Sequence, residues 1–227
     1  MDKTSTARPW HLVTLVVALA ALVFQFVLIV QGNGILDEQD VPSMGEQIRR
    51  YFFYFTIQSN LAVAWGELMI VRRPDVDTRL FRVVRLASVL GIAVTGVVHW
   101  FFLRPLLDLH GSDYLADKLL HVVVPLLAVV GWLVLGPRQR LRRSDIVAAL
   151  AWPVLWLVVT LAIAPLVDDF YPYPFLNVTT HGWGTVLVNC VVIAALFLGL
   201  CFGALWLDRR LPGGEPADTE SEDRGAL

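Results

Sequence analysis

The chain has 227 residues, of which 56% are hydrophobic and 17% charged, and its mean hydropathy is +0.63. This composition is too apolar for an ordinary soluble domain and is typical of a polytopic membrane protein. The formal net charge of -2 does not favour nucleic acid as a partner. Cys190 and Cys201 lie in one apolar run, about 16 Å apart along a helix, which is too far for a disulfide.

Six apolar runs are long enough to cross a hydrocarbon core of about 30 Å. They are Trp10–Val30, Phe52–Val71, Leu80–Leu103, Leu115–Leu135, Asp145–Val167 and Trp183–Leu207. The sequence therefore predicts an all-α fold, a bundle of six transmembrane helices within residues 1–211. The remaining residues, 212–227, are polar and rich in glycine and proline, and this composition predicts a disordered cytoplasmic tail.

Basic residues fall mainly on one side of the six runs. Fourteen of the 18 lysines and arginines lie there: Lys3, Arg8, Arg72, Arg73, Arg79, Arg82, Arg85, Arg138, Arg140, Arg142, Arg143, Arg209, Arg210 and Arg224. The positive-inside rule then predicts a multi-pass protein of the cell membrane with both termini cytoplasmic. The connections Gln31–Tyr51, Arg104–Tyr114 and Asp168–Gly182 face outward. Glu67 precedes Arg72 by five residues, which suggests an ion pair at the inner interface.

The second run contains an unusual concentration of polar residues, in the stretch RYFFYFTIQSNLAVAW from Arg50 to Trp65. Polar side chains in hydrocarbon are costly unless a helix bundle satisfies them, so they are candidates for function. Thr56, Ser59 and Asn60 are spaced three or four residues apart and share one helix face. Gln58 lies off this face, and we interpret it as an interhelical hydrogen-bonding residue.

Three histidines are predicted to lie near the outer side of the membrane: His99, His121 and His181. Asp117 precedes His121 by one helical turn, where its carboxylate can orient the imidazole. A threonine hydroxyl such as that of Thr56 becomes a nucleophile only when a base takes its proton, and neutral histidine is the usual base. These residues predict one shallow, outward-facing cavity, although contact between their helices cannot be deduced from the sequence.

Three motifs resemble a known family. They are FTIQSNL (Phe55–Leu61), HVVVP (His121–Pro125) and YPYPFL (Tyr171–Leu176). Together with the six runs, they are similar to motifs of the androgen-induced and androgen-dependent membrane proteins, which are six-helix threonine hydrolases of lipid esters, and of related bacterial proteins. The resemblance implies Thr56 as nucleophile and His121 as base, and adds Tyr173 to the supporting residues. Ser59 remains an alternative nucleophile. The membrane lipids would supply a hydrophobic ester substrate, and no cofactor would be needed.

Two other functions fit the same residues. His99, His121 and His181, with Asp117 or Asp168, are potential zinc ligands of a metal-dependent hydrolase. A non-enzymatic reading makes the protein a scaffold or a haem carrier in which two of the histidines bind the iron. Amino-acid usage, with only two lysines, favours a bacterial source.

Overall fold

The structure, a computed structural model, describes residues 3–32, 42–136 and 141–211. Within these ranges the chain is helical and has no strand, which confirms the all-α prediction. The α-helices are α1 (Lys3–Val30), α2 (Met44–Phe53), α3 (Phe55–Arg72), α4 (Arg79–Val98), α5 (Gly111–Lys118), α6 (Val124–Val134), α7 (Arg143–Ile163) and α8 (Val178–Arg210). The π-helical turns are His99–Leu103 and Leu119–Val123, and the 3-10 turns are Arg104–Leu106, Ala164–Leu166 and Pro174–Leu176. The predicted tail, 212–227, lies outside the described residues.

Five helical segments are long and apolar enough to cross a membrane. They are Ala7–Val30, Arg79–Leu106, Gly111–Val134, Ser144–Leu166 and Val178–Arg210, and they match five of the six predicted runs. The remaining run lies in α3, whose 18 residues include Gln58, Asn60 and Glu67. This helix lies between α1 and α4 and packs on both of them. Its polar residues are therefore covered by neighbouring helices rather than by lipid.

The predicted start of the second run is wrong, because the helix is broken at Tyr54. This residue has an extended backbone (φ -64°, ψ 129°) that ends α2 and precedes α3. Helix α2 occupies part of the predicted outward loop. It begins at Ser43, whose hydroxyl accepts a hydrogen bond from the Glu46 amide, and Arg50 lies in its last turn. These residues suit the two ends of a helix dipole. Hydrophobicity alone missed the break because apolar residues continue across it.

Small residues allow the central helices to approach closely. Ala18 and Ala21 of α1, Ser59 of α3, Ser88 of α4 and Ala128 of α6 are all fully buried. Close approach of this kind is how membrane helices gain packing energy. In contrast, α7 and α8 leave most of their apolar surface exposed, and each packs against α4. Their outer faces are those that lipid would cover.

Two predictions about polar residues of α3 had different outcomes. Gln58 is interhelical, since its Oε1 accepts a hydrogen bond from Trp152 Nε1 of α7 at 3.0 Å, as predicted. Glu67 binds Arg85 Nη1 and His11 Nδ1, each at 2.6 Å, so the predicted pair with Arg72 is wrong. Five residues correspond to about 140° around a helix of 3.6 residues per turn, and Arg72 therefore points away from the Glu67 face.

Candidate active site

The N-terminus of α3 positions Thr56 and its amide. The first amides of a helix have no acceptor within the helix, and Tyr54 supplies no side-chain cap here. Instead, Tyr173 Oη accepts a hydrogen bond from the Thr56 amide at 3.0 Å and lies 3.1 Å from Thr56 Oγ1. Burial raises the pKa of Tyr173 to about 12. The phenol therefore stays protonated at neutral pH, beside the partial positive charge of a helix N-terminus.

A π-helical turn at Leu119–Val123 carries His121. Pro125 follows it and has no N–H, so Leu120 O lacks the i+5 donor that a π-helix would provide. Asn60 Nδ2 donates to Leu120 O at 3.3 Å and to Thr56 O at 2.9 Å. Asn60 thus joins α3 to the π-helical turn. It holds Thr56 and His121 in fixed relation to each other.

Thr56, His121 and Asp117 form a continuous series of contacts. Thr56 Oγ1 lies 3.3 Å from His121 Nε2, and His121 Nδ1 lies 3.0 Å from Asp117 Oδ1. Nδ1 also lies 3.1 Å from the backbone O of Asp117, to which it can donate a hydrogen bond; if Nδ1 carries the proton, the lone pair of Nε2 faces the threonine hydroxyl. Lys118 Nζ lies 2.6 Å from Asp117 Oδ2 and compensates part of its charge. This order of hydroxyl, imidazole and carboxylate is that of a nucleophile with an oriented base.

His99 extends this cluster from the end of α4. Its ring stacks on that of His121, with centroids 4.1 Å apart and an interplanar angle of 14°. His99 Nε2 lies 3.4 Å from Asp117 Oδ2, near the carboxylate but without the alignment of a hydrogen bond. The side chain is 1% exposed. Such stacking leaves no space for a porphyrin between the rings, so this pair cannot bind the two faces of one haem.

A pocket of about 90 Å³ opens beside these residues. Thr56, His99, Asp117, His121 and Tyr173 all line it, so the cluster is accessible to a small group. Leucines form much of the remaining wall: Leu103, Leu106, Leu107, Leu109 and Leu120. A concave apolar pocket with a few convergent polar groups is the usual form of a ligand site.

Two of the predicted site residues, Ser59 and His181, do not belong to this cluster. Ser59 is fully buried, and its Oγ accepts a hydrogen bond from Thr95 Oγ1 of α4 at 3.3 Å. It does not line the pocket, whereas Thr56 does. His181 is exposed at the start of α8 and is also absent from the pocket wall. His181 lies in the first turn of α8, directly before a kink at Gly182 (φ 73°).

The cluster is also a possible metal site. Ligand atoms of His99, Asp117 and His121 all lie within 4.8 Å of one another. The predicted zinc site used His181 as well, which is exposed and outside this group. The ammonium of Lys118 already contacts the Asp117 carboxylate and would repel a divalent cation. The donor set fits zinc in residue type, but its charge environment is unfavourable.

Two contributors to the site were missed by sequence reasoning. Lys118 was not among the predicted site residues, although its position next to Asp117 could have indicated the contact. Gly96 of α4 faces the π-helical turn, where an added Cβ would lie 3.3 Å from both His121 O and Pro125 Cβ. Glycine at this position permits close approach of α4. The spacing of small residues along α4 is the sequence signal that could have indicated this close approach.

The chain was compared with protein-family models, with curated proteins and with solved structures. None of the three comparisons found a match.

Proposed function

We propose that the protein is an integral membrane hydrolase of lipid esters that uses Thr56 as nucleophile and His121 as general base. One observation carries this proposal: Thr56 Oγ1 lies 3.3 Å from His121 Nε2 while Nδ1 of the same ring contacts Asp117. A nucleophile and base within hydrogen-bond reach, with a third group orienting the base, is the arrangement required for acyl transfer.

The reaction would proceed in two steps. In the first, Thr56 Oγ1 attacks the ester carbonyl carbon, His121 Nε2 takes the hydroxyl proton, and the same proton is given to the departing alcohol. In the second, His121 takes a proton from water, the resulting hydroxide attacks the acyl-threonine, and the proton returns to Thr56. Asp117 stabilises the imidazolium in both steps. In this proposal the Tyr173 hydroxyl, 3.1 Å from Thr56 Oγ1, donates to the oxyanion of each tetrahedral intermediate.

Labelling with a fluorophosphonate tests the nucleophile, because this reagent modifies activated hydroxyl groups. The Thr56→Ala variant in membranes should lose labelling. His121→Ala should lower the rate of labelling about 10²- to 10⁴-fold, the usual contribution of a general base. Ser59→Ala is the matched control, since it removes a buried hydroxyl on the same helix face. Labelling that persists in Thr56→Ala would refute the role of Thr56.

We also propose that α3 is a sixth membrane-crossing helix, which puts both termini in the cytoplasm. The charge asymmetry of the sequence supports this topology, since it puts Arg72, Arg73, Arg209 and Arg210, which lie at the C-terminal ends of α3 and α8, on the cytoplasmic side. A protease-sensitive tag at each terminus tests it. Both tags should be cleaved only after the membrane is opened, and cleavage of either one in intact cells would contradict the topology.

A second candidate is a zinc-dependent hydrolase. The proximity of ligand atoms in His99, Asp117 and His121 favours it. Metal analysis of the purified protein separates the two proposals. Stoichiometric zinc that is lost in His99→Ala would favour the metal enzyme, whereas His99→Ala with unchanged metal content and retained fluorophosphonate labelling would favour the threonine hydrolase.

A further inference from the structure

A second and larger cavity adjoins Thr56. This chamber has a volume of about 320 Å³ and lies among α4, α7 and α8. Thr56, Leu103 and Tyr173 line both the chamber and the smaller pocket. Thr56 therefore borders both cavities.

The chamber wall suits hydrocarbon. It is formed mainly by aliphatic and aromatic side chains, among them Val94, Val98, Leu157 and Phe197. Polar groups in the wall already have partners: Thr95 Oγ1 donates to Ser59, and Trp156 Nε1 donates to Phe53 O. A chain without polar atoms can occupy such a cavity and leave no buried polar group without a partner.

The chamber lining includes one stretch of α8, from Cys190 to Leu198. The Cys190 end lies near Thr56. Asn189, the residue before Cys190, donates a hydrogen bond from Nδ2 to Phe175 O. The Phe175 ring stacks on Tyr173, which contacts Thr56. At the other end, Leu198 lies eight residues farther along the helix. At 1.5 Å per residue, this stretch of the lining is about 12 Å long and leads away from the Thr56 end.

The side of the chamber is open between α7 and α8. Val154 and Leu198 line it and are 59% and 48% exposed, and Ala194 is also exposed. Both helices are long and apolar enough to cross a membrane, so this opening would face lipid tails. An acyl chain could then enter sideways without contacting water.

We infer that the chamber binds the acyl chain of the substrate, while the smaller pocket receives the alcohol that leaves. This inference rests on the proposed ester hydrolysis. The ester carbonyl then lies at Thr56, between an apolar cavity and a pocket that contains His99 and Asp117. Ala194 lines the chamber halfway between Cys190 and Leu198, so a larger side chain at this position would shorten the space for the chain.

Photo-crosslinking tests binding without any need for hydrolysis. The purified protein in lipid nanodiscs is irradiated with a long-chain fatty acid that carries a diazirine near the middle of its chain. The adducts should map to the chamber-lining parts of α7 and α8, Leu150–Leu157 and Cys190–Leu198. Adducts found only on residues outside the chamber, such as Val147 or Phe202, would overturn the inference whatever the variants do.

Two neighbouring alanines provide a matched pair of variants. Ala194 and Ala195 are both exposed, but only Ala194 lines the chamber. Ala194→Trp should reduce the crosslink about tenfold or more, while Ala195→Trp, which adds the same bulk toward lipid, should not. Equal crosslinking in the two variants would refute the inference. Crosslinking at the chamber in the unchanged protein, together with no fluorophosphonate labelling of its intact Thr56, would retain the chamber and reject the hydrolase.

Chain-length preference provides the kinetic test. The ratio of kcat/KM for 4-nitrophenyl decanoate to that for 4-nitrophenyl acetate should fall about tenfold in Ala194→Trp, which corresponds to excluding roughly two methylene groups. Ala195→Trp should keep the ratio of the unchanged protein. If the ratio is the same in both variants, the acyl chain does not occupy the chamber.

Discussion

Removal of the Tyr173 hydroxyl tests the site most directly, because this group has two roles. Its oxygen accepts a hydrogen bond from the Thr56 amide at 3.0 Å and lies 3.1 Å from Thr56 Oγ1. In the proposed reaction its proton stabilises the oxyanion. In Tyr173→Phe, the amide loses this acceptor in a buried helix end, which costs about 1–3 kcal/mol of the free energy of unfolding. Loss of an oxyanion donor should also lower kcat about 10²- to 10³-fold.

Both effects are measurable on the purified protein in detergent. Ester hydrolysis gives kcat and KM, and we expect the change mainly in kcat, since the hydroxyl acts on the charge that develops during the reaction. Because burial raises the pKa of Tyr173 to about 12, its ionisation should not contribute to the activity profile between pH 6 and 9. Equilibrium unfolding in mixed micelles measures the stability change.

Tyr171→Phe is the control, since Tyr171 lies two residues away and is also buried. Within the part of the chain that the structure describes, its hydroxyl makes no hydrogen bond with Thr56. If Tyr173→Phe matches Tyr171→Phe in both stability and kcat, the assignment of Tyr173 is refuted.

Three further predictions concern stability. Glu67→Gln should lower the free energy of unfolding by about 3–5 kcal/mol, because it leaves a buried guanidinium without its anion; a loss below about 1 kcal/mol would contradict this. Gly131→Ala should lower the free energy of unfolding by about 1–3 kcal/mol, because the new Cβ would lie 2.6 Å from Trp10 Nε1 and displace a hydrogen-bonded indole. Gly184→Ala is its control, since a Cβ there would have no atom within 4 Å. Hydrogen bonding from Arg49 lowers the pKa of Glu46 to about 2 from 4.5, so this stabilisation is present above pH 4.5 and is lost as the pH falls toward 2. The free energy of unfolding should differ less between pH 6 and pH 3 in Glu46→Gln than in the unchanged protein. The same difference in both proteins would reject a stabilising ion pair of Glu46.

The apolar runs were predicted well because their signal is local. Length and hydropathy identify helices that suit a membrane, and five segments of the structure meet that condition. Spacing of one helical turn likewise placed Asp117 beside His121 on one face, where the structure has them in contact. The polar face of Thr56, Ser59 and Asn60 was recognised for the same reason.

The partners of polar residues were predicted less well. Ser59 and Thr56 share a helix face in the sequence, but Ser59 contacts Thr95 and Thr56 contacts His121. His181 was predicted to join the other histidines because of its estimated depth in the membrane. Depth does not show whether a side chain points into the bundle or away from it. Glu67 was paired with the nearest arginine in the sequence, although its partner Arg85 comes from a neighbouring helix.

The sequence by itself determined that the chain forms apolar helices and which faces of them are polar, because hydropathy and helical periodicity depend only on neighbouring residues. The tertiary structure decided which polar faces meet. After the break at Tyr54, the start of α3 contacts Tyr173, and two π-helical turns carry His99 and His121, whose rings are stacked. These features depend on packing between helices distant in sequence, where a shift of one residue rotates a side chain by about 100°. For that reason the distance between Thr56 and His121, on which the proposed chemistry depends, could only come from the fold.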